Sequence, residues 1–159
     1  MDFSKFRTPD WLVIGGGLVF LIAGFIDWFD TGPVSSTAFE FTFTGLIPWI
    51  LLVGAAVLTF LRAGGILKDG GAPWTLIILG ATGLGALLVL IRMIIGADAS
   101  DLVSGAPDES LDRAGGLWIA VIGALVAAAG AFLSFQAGGG NVRDLTDMDK
   151  MKGAFRGDR

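Results

Sequence analysis

Four stretches of the chain are apolar around the whole helical circumference: Trp11–Phe29, Leu46–Leu61, Trp74–Ile95 and Leu117–Phe135. None shows the 3.6-residue alternation of a helix that lies on a soluble core. Crossing the hydrocarbon region of a bilayer takes about 20 mostly apolar residues, with a range of roughly 17–25. Three blocks have that length. The second has sixteen residues and reaches it only if Gly45 and Arg62 extend the helix toward the interface. The pattern predicts an all-α membrane protein with four transmembrane helices in a bundle, at about residues 11–29, 45–62, 74–96 and 116–136. Residues 1–136 form the membrane domain, and the glycines from Gly138 to Gly140 open a flexible cytoplasmic tail over 137–159.

The flanks of these blocks give an orientation. Lys5, Arg7, Arg62, Lys68 and the five basic residues of the tail all fall on one side, whereas the other side holds only Arg92 and Arg113. By the positive-inside rule both termini face the cytoplasm. The outer loops are acidic, with Asp30 and Glu40 in the first and Asp98, Asp101, Asp108, Glu109 and Asp112 in the second. All five tryptophans stand within a few residues of an expected helix end, where amphipathic rings form interfacial belts. Within the first outer loop Phe39, Phe41 and Phe43 alternate with Glu40 and Thr42, the period of a short extended or β segment with one greasy face. The preceding run Val34–Thr37 offers a second short strand. The three rings are a candidate edge for a protein partner, or a flap dipping into the interface.

Composition narrows the chemistry. Apolar residues make up 53% of the 159 and charged residues 16%, and there is neither histidine nor cysteine; the mean hydropathy is +0.73. Disulfides, thiolate catalysis, zinc sites of the usual ligand types and histidine-ligated haem are thereby removed, and no metal or cofactor is expected. The net charge of −4 comes largely from the outer loops and implies no nucleic-acid partner.

Two ionisable residues interrupt apolar blocks, Asp27 and Arg92, at similar depth near the outer ends of the first and third helices. Charges in such places are functional candidates by default. They suit an intramembrane ion pair that clamps two helices, a snorkel toward lipid phosphate, or part of a solute path. The middle thirds of the blocks hold no Asp, Glu, Lys, Arg, Asn or Gln, which argues against proton-coupled transport.

Small residues mark the faces where helices approach in lipid. The fourth helix carries Gly116, Ala120, Ala124 and Ala128 at four-residue steps, with Gly123, Ala127 and Ala131 in a second row. The third contributes Ala81 and Gly85. These faces serve packing within the bundle or a seam to another protein.

The basic start leading into Trp11–Gly17, the exit Phe25–Phe29, the Ala38–Phe41 segment, Leu61–Arg62, Leu90–Arg92 and the close Gly130–Ser134 together resemble a loose group of small tetraspan membrane proteins of actinobacteria. The resemblance covers most of the chain and supplies no catalytic residues. It implies a multi-pass protein of the bacterial plasma (inner) membrane. The expected function is that of a non-enzymatic accessory or scaffold protein whose partners are the bilayer and other membrane proteins or itself. The alternative is an oligomeric channel or carrier that uses Asp27 and Arg92.

Overall fold

The computed structural model describes residues 6–30, 32, 35–67, 73–98, 102 and 110–139. The expected tail beyond Gly139, and the middle of the acidic connection between the third and fourth apolar blocks, lie outside the described residues. The elements run α1 (Thr8–Ala23), β1 (Phe29–Asp30), β2 (Ser35–Ser36), a 3₁₀ turn (Ala38–Glu40), a π-helical turn (Thr42–Leu46), α2 (Ile47–Ala63), α3 (Trp74–Ile95), β3 (Asp112–Arg113) and α4 (Gly115–Ala137). Each helix packs on its neighbours in the order α1, α2, α3, α4 and back to α1, and that last contact is the most extensive. The helices run alternately up and down, so that α1 and α3 start at one end, here the basal end, and finish at the other, the capped end.

Three helices are long and apolar enough to cross a membrane: Thr42–Ala63, which joins the π-helical turn to α2, then α3 and α4, with 22, 22 and 23 residues. The first apolar block behaves differently from the expectation. Its helix stops at Ala23 after 16 residues instead of running to residue 29. The cause is competition for backbone groups. The Asp27 carbonyl accepts the Gly116 amide at 3.0 Å, the Trp28 carbonyl accepts the Ala114 amide at 2.8 Å, and the Trp28 amide donates to the Ser36 carbonyl at 2.7 Å. Groups that would have continued the helix are committed to the neighbouring connections instead. The second block lengthens at its start, because the amides of Gly45 and Leu46 both bond to the Phe41 carbonyl and wind the chain directly into α2.

The capped end is closed by a three-stranded antiparallel sheet in the order β2–β1–β3. Phe29 pairs with Ser36 on one side and Arg113 on the other, while Asp30 pairs with Ser35 and Asp112. A β segment therefore does occur between the first two apolar blocks, at Ser35–Ser36. The Phe39–Phe43 stretch expected to be extended falls instead in the 3₁₀ turn and the π-helical turn, joined at Phe41. Its 3₁₀ turn is capped by Glu40, whose carboxylate accepts from both the amide and the hydroxyl of Thr37 at 2.7 Å. Two connections far apart in sequence thus share one small sheet above the bundle.

The seam between α1 and α4 shows why so many small residues are needed. Gly116, Gly123 and Gly130 recur every seven residues, and each faces the backbone of α1 or of its exit. A methyl group on Gly123 would stand 2.9 Å from the Gly16 carbonyl oxygen; on Gly130, 2.8 Å from that of Pro9; on Gly116, 2.5 Å from that of Asp27. Ala120, Ala124, Ala127 and Ala131 fill the same buried face, with Ala128 at its margin. Gly85 of α3 leaves room for the Leu52 side chain, and Ala81 lies partly buried against the same bundle interior. With backbones this close, dispersion contacts between main chains supply the attraction that apolar burial does not provide in lipid.

Candidate functional site

At the capped end, Arg92 occupies the last turn of α3. Its guanidinium carbon stands 3.5 Å from the centroid of the Phe41 ring and 5.3 Å from that of Phe29. The two rings meet edge to face at 5.6 Å. A cation on an aromatic face is worth about 0.5–1 kcal/mol when exposed and about 2 when desolvated. Asp27 lies beyond the end of α1, in the link to β1, and its carbonyl rather than its carboxylate makes the tertiary bond. Among the described residues no ion pair joins Asp27 to Arg92.

The three phenylalanines of the loop are not brought together on one face. Phe41 is buried under Arg92. Phe39 packs against Phe25 and Trp49, at 5.1 and 5.5 Å between centroids. Phe43 is the most exposed of the three, at 74% against 36% for Phe39. Trp28 also departs from the interfacial-belt expectation. It is fully buried, its indole donating to the Ala23 carbonyl at 2.9 Å and its ring standing edge-on to Phe20. Trp11 and Trp118 remain about half exposed, at 49% and 51%.

Arg113 has a role that sequence reasoning missed. From β3 it donates through Nε to the Met93 carbonyl at 2.7 Å and through Nη2 to that of Ile94 at 3.3 Å. A cation thus satisfies two terminal carbonyls of α3, where the helix dipole favours it.

The basal end holds the second cluster of polar groups. A cavity of about 210 Å³ opens between all four helices, and its polar lining comprises Arg7 and Asp10 of α1 and its cap, Thr59 and Arg62 of α2, Thr75 of α3 and Ser134 of α4. Arg62 donates to the Thr75 hydroxyl at 2.8 Å, and the Asp10 carboxylate accepts the Arg7 amide at 2.9 Å. Thr59 bonds back to the Ala55 carbonyl at 2.8 Å, which leaves its hydroxyl oxygen at the cavity wall. Between this cavity and the cap, Phe20, Leu52, Val89 and Leu117 are fully buried and fill the interior.

Protein-family models, characterised proteins and solved structures all fail to match the chain. The basal cluster was invisible in sequence because its members stand on four separate helices. The nearest signal is the Thr59–Arg62 spacing, which places both on one helical face.

Proposed function

We propose that the protein is an integral membrane protein of the bacterial plasma membrane, crossing it four times with both termini in the cytoplasm. It acts as a non-enzymatic accessory or scaffold subunit for other membrane proteins or for a second copy of itself. The observation that carries this reading is the filled interior. Four fully buried side chains and the α1–α4 backbone contact occupy the space between the two polar ends, and the one buried hydroxyl described at that depth, Thr82, is bonded back to the Ile78 carbonyl of its own helix at 2.9 Å. Ile22, Ile50, Val57, Leu84, Leu87, Ile122 and Leu125 are exposed around the girdle, an apolar area that water would not tolerate on a monomer but lipid covers at no cost. Helix α1 is the short span, and the exposed Phe25 and Ile26 beyond it extend its apolar reach.

The test is paired. Protein reconstituted in liposomes is assayed for ion and solute flux, and photo-crosslinking residues at positions 43 and 118 are used in native membranes. Absent flux with one reproducible crosslinked membrane protein supports the scaffold reading. Flux abolished by Asp27→Asn would replace it with the channel or carrier.

A further inference from the structure

We propose that, in the membrane-spanning arrangement on which this inference rests, the apolar girdle is tapered: low around α1, full height at α3, and fitted on the α1 side to a locally thinned bilayer. Two rulers measure the low side. Helix α4 meets the ends of the first span at fixed levels, Gly130 beside the Pro9 carbonyl and Gly116 beside that of Asp27. Between those two glycines α4 rises about 21 Å at 1.5 Å per residue. The apolar surface of the first span itself, from Trp11 to Ile26, is about 24 Å on the same scale. Exposed Arg7 and Thr8 precede it and exposed Asp30 follows it. Helix α3 stands diagonally across the bundle from α1. Its 22 residues from Trp74 to Ile95 rise about 33 Å. Its polar side chains are engaged within the protein, Thr75 by Arg62, Thr82 by the Ile78 carbonyl and Arg92 by the Phe41 ring. A typical hydrocarbon core is about 30 Å thick, so α3 matches it and the α1 side falls short by about 6–9 Å.

Much of the step lies at the capped end. There β1 pairs through Phe29 with Arg113, whose guanidinium reaches the Met93 and Ile94 carbonyls. The end of α3 is thereby held near the level of β1, above Ile26. Ile94 and Ile95 are exposed at a height where the α1 side already presents Asp30. Aromatic clusters mark both edges of the low side, as at a membrane interface: Trp11 with Phe6 and Phe60, and Phe25 with Phe39 and Trp49. Tilting the bundle shortens both sides in projection and cannot lengthen α1, so the bilayer yields instead. Lipid, rather than a second copy, covers this side. Helices associate in lipid where small residues let backbones approach, and those of α1 are already used, Gly16 on Gly123 and Ala127, Gly17 on Ala56. Leu18, Ile22 and Phe25 stand out in their place. The basic flank of Lys5 and Arg7 complements anionic lipid phosphates drawn inward where the leaflet is thin.

The chain has no cysteine, so single nitroxide labels can be attached to the full-length protein. Exposed positions serve: Leu18→Cys and Ile26→Cys on the α1 side, Leu84→Cys and Ile94→Cys on α3. The variants are reconstituted in dioleoylphosphatidylcholine, and collisions with oxygen against those with a water-soluble nickel chelate read depth. A flat boundary gives position 94, the farther out, a nickel-to-oxygen ratio severalfold above that at position 26. The taper abolishes or reverses this order, so the ratio at 26 is expected to be at least that at 94. In dimyristoleoylphosphatidylcholine, whose shorter chains suit α1, the label at 94 is expected to move toward water and that at 26 to stay. A severalfold higher ratio at 94 in the dioleoyl lipid overturns the proposal. So does dipolar broadening between labels at position 18 at high lipid dilution, because a second copy then covers α1. Open nickel access at positions 18 and 84 alike would instead remove the membrane-spanning arrangement, and the taper with it. If Ile26→Cys does not fold, Phe25→Cys repeats the comparison on the same terms.

Discussion

Three consecutive glycines of α1 face three different surroundings, and this makes the packing argument testable at single-residue resolution. A methyl group on Gly15 meets nothing within 4 Å. On Gly16 it would stand 2.5 Å from the Ala127 nitrogen and 2.6 Å from the Gly123 carbonyl oxygen, and on Gly17 it would collide with the Ala56 methyl. Ordinary contact begins at 3.4 Å, so at Gly16 the new methyl lacks roughly 0.9 Å of clearance, and both neighbours are backbone that cannot rotate away. Helices α1 and α4 would have to part. A gap of about 0.5–1 Å forfeits a quarter to a half of each dispersion well along the seam. Overpacking costs about 1–3 kcal/mol, and replacing glycine in a helix returns at most about 1 kcal/mol. Gly16→Ala is therefore expected to destabilise by up to about 2 kcal/mol, and Gly15→Ala to be neutral or stabilising by up to about 1 kcal/mol. Reversible unfolding in mixed micelles, followed by far-ultraviolet circular dichroism, measures both. Gly16→Ala at least as stable as the unaltered protein, or equal losses at the two positions, would refute the seam.

Other consequences can be checked independently. Arg92→Met and Phe41→Leu, combined in a double-mutant cycle, should couple by about 0.5–2 kcal/mol, and additivity would show that the stack contributes nothing. Arg113→Ala should destabilise by about 1 kcal/mol and speed hydrogen exchange at the amides around Gly96, while Arg113→Lys restores only part because it cannot serve two carbonyls as a fork. In single-tryptophan variants reconstituted with brominated lipid, Trp118 should be strongly quenched and Trp28 hardly at all; equal quenching would mean that the indole of Trp28 is not enclosed by protein.

Much of the architecture is legible in the sequence because lipid simplifies the code. Blocks apolar on every side can only be buried or lipid-facing helices, and all four blocks contain one. The small residues of the fourth block were also readable, although the seven-residue recurrence that includes Gly130 is more telling than the four-residue rows. Where sequence reading went astray, a distant segment decides the outcome. Helix α1 ends early because Ser36, Ala114 and Gly116 take up the backbone of Asp27 and Trp28. A five-residue alternation such as Phe39–Phe43 suits a strand and a tight helical turn alike. The Thr37–Glu40 pair, with its capping-box spacing, was the local sign of the turn. Trp28 stands near a helix end, as a belt residue would, and only the closure of the sheet above it makes it internal. The basal cavity required the full topology, since Asp10, Arg62, Thr75 and Ser134 converge only when all four helices have formed.

The glycine seam has a consequence for how the molecule is made. Gly16 and Gly123 are more than a hundred residues apart, so the first helix to leave the ribosome meets its principal partner last. At about 5–20 residues per second, that interval is on the order of 5–20 s. During it the notched face of α1 is open to any other small-residue helix nearby. Biogenesis of this chain is thus expected to depend on whatever shelters the notched face of α1 in that interval, and a truncation lacking α4 should be cleared by proteolysis rather than persist as a three-helix remnant.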